Sequence, residues 1–211
     1  MAMPNNDKKR LLLVEGLDDE KVIGTFCKQQ RLVDGFYIHQ CGGYSNVRST
    51  LQTLLKLVDD EKRKECIGVI VDADEQLAQR WQSLSALLRA NGYHPPKQIP
   101  SEGLVQNIDG MPRIGVWLMP NNRLPGKLED FVAFLVQPND LVWRHGLQAI
   151  HTLPERRFRD VDEAKARMHT WPAWQEDPGI QMSQAITKRL LCYEHEYADA
   201  FMSWIRSVFY V

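Results

Sequence analysis

The sequence predicts an α/β fold: a Rossmann-like parallel sheet flanked by helices, followed by a helical C-terminal extension. Three observations carry this expectation. Short apolar runs alternate with stretches of helical period as far as Gly92. The runs are continuously apolar, as strands buried on both faces require. Beyond residue 139 only helical periodicity remains.

The first run, "RLLLVEG", ends in Glu15 and Gly16, which suits a buried strand and a turn. "DDEKVIGTFCKQQRLV" follows, with Val22, Ile23, Phe26 and Cys27 on one helical face and Asp18 or Asp19 able to cap its start. "GFYIHQC" reads as a strand broken by Gly42 and Gly43. Val47, Leu51, Leu54, Leu55 and Val58 are spaced as an amphipathic helix. "CIGVIV" is a third strand. Leu77, Trp81, Leu84 and Leu88 form a third helix that Asn91 and Gly92 stop. "GLVQNIDG" suits an edge strand and "RIGVWLMP" the clearest late one; "LEDFVAFLVQ" is a helix ending before Pro138. The C-terminal helices begin at about residue 139. In the last stretch Ile186, Leu190, Tyr197, Phe201, Trp204, Ile205 and Val208 make one apolar face that closes the core. The organisation expected is a flexible N-terminus, 1–9, and a single domain, 10–211.

The 211 residues are 44% hydrophobic and 25% charged, as in ordinary globular chains. With 26 basic and 27 acidic residues the formal net charge is -1, which disfavours a stand-alone, high-affinity nucleic-acid binder but leaves a local groove open. The four cysteines form no CxxC pair, and the polar start "MAMPNNDKKR" has no apolar segment behind it. A soluble cytoplasmic protein with reduced thiols, and no membrane partner, is the expectation.

The chemistry concentrates where strands end. Glu15 closes the first, with Asp19 four residues on; Asp72 and Asp74 close the third, followed by Glu75. Strand C-termini in a parallel sheet share one edge, and alternation would point residues 72 and 74 the same way. Carboxylates gathered there need a counter-charge. Mg2+ or Mn2+ fits, since hard cations take oxygen ligands. Each signal also has a plain structural reading: Glu-Gly as a turn, strand-end aspartates as helix caps. Asp18 and Glu75 read as solvated neighbours.

"LLLVEGLDDEKVI" and "IGVIVDADE" resemble the TOPRIM fold, an apolar strand ending in Glu-Gly followed by one ending in DxD. "GVWLMPNNRLPGKLEDF" and "KARMHTWPAWQEDPGIQMSQAI" extend the resemblance to a bacterial TOPRIM-like family close to the OLD-type nucleases, over residues 10 to 209. The resemblance implies magnesium-dependent phosphoryl transfer on nucleic acid. It makes Glu15 a metal ligand or general acid/base, and Asp19, Asp72, Asp74 and Glu129 metal ligands. It offers Lys165 for transition-state charge, with His169 on the same helical face. Glu129 is also an ordinary first-turn helix acid, and Lys165 an ordinary surface lysine. There is no Walker A motif, so the ATPase half of full OLD proteins is not expected here, and no tyrosine nucleophile domain is evident.

The remaining motifs read as structure: "CGG" as a tight turn, the two tryptophans of "WPAWQEDPG" as packing, "ERRFRD" as a solvated face, and the six histidines as showing no metal pattern. Two readings compete. One is a Mg2+-dependent nuclease or related phosphoryl-transfer enzyme. The other is a non-catalytic module binding metal, a nucleotide, a nucleic-acid end or a partner ATPase. A DxD phosphatase ranks below both, because this DxD falls on the third strand.

Overall fold

The computed structural model describes residues 9–32, 35–57 and 63–210. Val58, expected on the second helix, and most of the expected flexible N-terminus lie outside them. The chain runs β1 (Arg10–Val14), α1 (Leu17–Gln29), β2 (Tyr37–Gln40), α2 (Tyr44–Leu55), β3 (Cys66–Asp72), α3 (Leu77–Ala90), β4 (Leu104–Gln106), β5 (Arg113–Met119), α4 (Leu128–Phe134) and α5 (Leu141–His151). A 3-10 turn at Asp160–Asp162 then leads into α6 (Glu163–Ala173), α7 (Met182–Thr187) and α8 (Glu196–Phe209).

Five strands form one sheet in the order β2-β1-β3-β5-β4. β1, β2, β3 and β5 are parallel; β4 pairs antiparallel with β5 at the edge. Alternation along β1 sends Leu12 and Val14 to one core, Leu11 and Leu13 to the other. The second core is covered by α2 and α3, through Val47, Leu51, Trp81 and Leu84. The first is covered by α1, α4, α6, α7 and α8. Both sheet faces are therefore buried, which explains the unbroken apolar runs.

The C-terminal segment completes the first core, as its apolar residues foretold, but as two helices. α7 stops at Thr187, and Arg189 takes a left-handed φ of 58°. Leu191 then bridges Val136, and the Cys192 N–H donates to the Leu135 carbonyl at 2.6 Å. Pairing with the end of α4 has overridden helical period. The α4 helix is likewise shorter than its pattern, ending at Phe134.

The last helix approaches the sheet closely because two paired strand positions lack side chains. Gly68 and Gly115 are opposite one another on β3 and β5. A Cβ at Gly115 would overlap Val208 Cγ2, and one at Gly68 would lie 2.8 Å from Phe209 Cζ. We predict that Gly115→Ala lowers stability by about 1–3 kcal/mol. Gly24 lies inside α1, and a Cβ there meets only Ile38 Cδ1 at 3.6 Å. Gly24→Ala should therefore stabilise by about 0.5–1 kcal/mol. Thermal melts of the two variants check both signs.

Candidate metal centre

β1 leads out to β2 on one side of the sheet, and the chain then returns to place β3 on the other side of β1. The C-terminal ends of β1 and β3 flank this reversal, the point where open α/β sheets build sites. Glu15 follows β1, and its Oε1 accepts the backbone N–H of Asp72 at 2.9 Å. The two strand ends are thus joined through a carboxylate. Gly42 and Gly43, with φ of 80° and 117°, curl the end of β2 so that both N–H groups donate to the Glu15 carbonyl, at 2.8 and 2.9 Å. The "CGG" segment is the expected tight turn, and it steadies Glu15.

Asp19 stands in the first turn of α1. Its Oδ2 accepts the Gly16 N–H at 3.0 Å, while its buried Oδ1 has no hydrogen-bond partner. Asp72 is the last residue of β3, and its Oδ1 accepts the Leu128 N–H at 3.0 Å, anchoring the start of α4. Glu129 follows in that first turn and is 9% exposed. Asp18 and Glu75 are exposed, as expected of solvated neighbours.

The acids lie near enough for their charges to act on one another. Burial, followed by the charges of Asp19, Glu15, Glu129 and Asp74, pushes Asp72 up to about 9. Burial raises Asp19 to about 7, with Glu15 and Glu129 adding to the effect and the Gly16 N–H opposing it. Glu15 is raised too, chiefly by burial, against the lowering influence of the Asp72 N–H and Arg80. The donors are all oxygens and one is orphaned, which is the chemistry a hard divalent cation seeks. Among the described residues, no three His, Cys, Asp or Glu side chains form a ready cage for an ion.

Asp74 is arranged differently. The expectation that 72 and 74 share a direction assumed an extended strand, yet β3 ends at Asp72 and Asp74 has φ 51°. Its backbone pairs with Gly126, donating at 2.9 Å and accepting at 2.7 Å. Its carboxylate binds Arg80 and lies 3.7 Å from Lys127 Nζ. Arg80 in turn stacks on Tyr44, with Cζ 3.8 Å from the ring centroid. These two cations open onto a cleft of about 1030 Å³ beside the carboxylates, also bordered by Arg159 and Arg167. Sequence reasoning missed Arg80, Lys127 and Tyr44; a cation at the start of each neighbouring helix was the available signal.

Lys165 and His169 are exposed on α6. Lys165 acts on Asp162 electrostatically and does not line the cleft. Trp171 is fully buried, with its Nε1–H donating to Asp140, whereas Trp174 is 45% exposed. The arginines of "ERRFRD" pair with nearby acids such as Glu155, Asp160 and Asp162. Cys27, Cys41, Cys66 and Cys192 are free thiols. No helix among the described residues is long and apolar enough to cross a membrane.

The raised acids set a pH dependence. From about 4 upwards the folded chain holds protons that the unfolded chain has released, at Asp19 to about 7 and at Asp72 to about 9. Stability therefore falls as pH rises through that window. We predict that metal-free melting temperature declines across it. Asp72→Asn, which keeps an acceptor for the Leu128 N–H, should flatten the decline and raise Tm above pH 7 by about 2–4 °C.

The chain matches, over residues 9–210, the family model described as a protein of unknown function (DUF3226). Among solved structures it is similar to the C-terminal region of the Burkholderia pseudomallei OLD protein, at 14% identity and a TM-score of 0.47, covering 94% of this chain and 97% of that one. It is also similar to the C-terminal region of the Xanthomonas campestris pv. campestris OLD protein, at 14% identity and a TM-score of 0.39, with 95% and 91% covered. No curated protein matches it. Because the family match spans nearly the whole sequence, the protein belongs to the DUF3226 family.

Proposed function

We propose that the protein is a TOPRIM-type, OLD-like enzyme that hydrolyses nucleic-acid phosphodiesters with Mg2+ or Mn2+ held by Glu15, Asp19, Asp72 and Glu129. One observation carries the reading: acids from three separate chain segments, Asp19 and Glu129 among them buried, act on Asp72 at the sheet's switch point, and Asp19 Oδ1 has no partner. Burying like charges together is unfavourable unless a cation joins them. When bound, such an ion supplies Lewis-acid stabilisation and an activated water.

The chain's own residues do the rest. Glu15, its carboxyl raised and held against the Asp72 amide, is placed to accept or return a proton. Asp72 and Glu129 tie the site to both ends of the β3–α4 connection. The adjoining cleft is large enough for a nucleotide-sized group. Lys165 is exposed on α6 outside the cleft, so only its sequence context supports a transition-state role, and Lys165→Met tests it by kcat.

A second reading, a non-catalytic module for metal, a nucleotide or a partner ATPase, is favoured by the charges around the cleft. Arg80 and Lys127 pair with Asp74, and Arg167 pairs with Glu163. Among the described residues these pairs offset the cleft's positive charge and weaken its pull on a long polyanion.

Incubation with plasmid, single-stranded DNA or RNA and Mg2+ or Mn2+ separates the two. The enzyme predicts cleavage that a chelator abolishes and that falls more than about 100-fold in Glu15→Gln and Asp72→Asn. Metal-raised Tm without cleavage supports the module. Cleavage surviving both substitutions overturns the enzyme reading.

A further inference from the structure

The second aspartate of the DxD is set apart from the other acids by its backbone as well as its partners. A left-handed φ of 51° turns Asp74 out of the line of β3, and a two-bond bridge to Gly126 holds it there. Gly126 has φ 139°, and a Cβ on it would come 2.6 Å from Asp130 Oδ2. The bridge therefore joins two loops that have little room to rearrange. Across it the Asp74 carboxylate contacts two cations from different helices, Arg80 of α3 and Lys127 at the start of α4. The Arg80 side chain is 15% exposed and packed on the Tyr44 ring, so it has few alternative partners. Both cations line the cleft.

From this geometry we infer that Asp74 is a positioning residue rather than a metal ligand. It holds Arg80 and Lys127 at the cleft wall, where the pair receives an anionic phosphate group. A carboxylate already engaged by two cations is poorly placed to serve a divalent ion. Two cations held by a shared acid, with Lys127 also 3.9 Å from Asp162, keep a fixed direction towards a phosphate. The metal and phosphate roles rest on the function proposed above. The different partners of Asp72 and Asp74 do not, since Asp72 accepts the Leu128 N–H while Asp74 holds Arg80 and Lys127.

The test compares Asp72→Asn with Asp74→Asn; asparagine tolerates the left-handed conformation at residue 74. In metal-free buffer near pH 8 the two changes should have opposite signs. Asp72→Asn removes the cost of burying an acid and raises Tm, while Asp74→Asn strands Arg80 and lowers Tm by about 2 °C or more. A rise in Tm for Asp74→Asn overturns the inference.

With Mn2+ alone as probe, the wild type and Asp74→Asn should show the same metal-induced rise in Tm, which Asp72→Asn loses. Loss of that rise in Asp74→Asn makes it a ligand and overturns the inference as well. No Mn2+ effect in the wild type defeats the metal reading, and the opposite melting signs still decide the role of Asp74.

Binding of a short fluorescein-labelled deoxythymidine strand in Ca2+ gives the readout that simple destabilisation would not move. Asp74→Asn, Arg80→Gln and Lys127→Gln should each raise Kd by about 5–10-fold, as for a lost charged contact. Combined with Asp74→Asn, either cation change should add little. Unchanged or fully additive Kd values contradict the anchored pair.

Discussion

Like charges crowded at the end of a parallel sheet are the constraint on which this structure turns. The acids are held apart from water by their own fold, and backbone N–H groups at strand ends and helix starts bind them. Glu15 takes the amide of Asp72, Asp19 that of Gly16, and Asp72 that of Leu128. These three bonds join β1 to β3, begin α1 and begin α4. The helix starts that favour negative charge are therefore the same ones that hold the site together. Removing the acids would disturb helix entry as well as chemistry.

Such a cluster survives because the scaffold around it is over-determined. Both faces of the sheet are buried, and the last helix seals one of them against Gly68 and Gly115. Strain and repulsion at a site can persist when packing elsewhere supplies the stability. The raised carboxyls and the unpartnered oxygen of Asp19 are local costs carried by that packing.

The cleft beside the cluster has the opposite character. Its charges are mutually paired, through Asp74 with Arg80 and Lys127, and through Arg167 with Glu163. Half-exposed pairs of this kind contribute little stability each. Their value lies in order: they fix where cations stand next to a site that is itself acidic. A near-neutral chain can thereby present fixed positive groups locally.

Much of this was legible in the sequence alone. Continuous apolar runs gave the buried strands, helical spacing gave α1 to α3, and Glu15, Asp19, Asp72 and Asp74 stood out because strand ends and first helical turns are local features, whereas Glu129 was singled out only by the family resemblance. Tertiary structure decided the rest. It split the final helical stretch at Arg189 because Leu191 pairs with Val136. It turned Asp74 aside because Gly126, far along the chain, pairs with its backbone. It left Lys165 exposed on α6 and brought Arg80, Tyr44 and Lys127 to the cleft instead. Periodicity records which way a residue faces within its own element. Where a loop side chain points depends on partners that only the folded chain brings near.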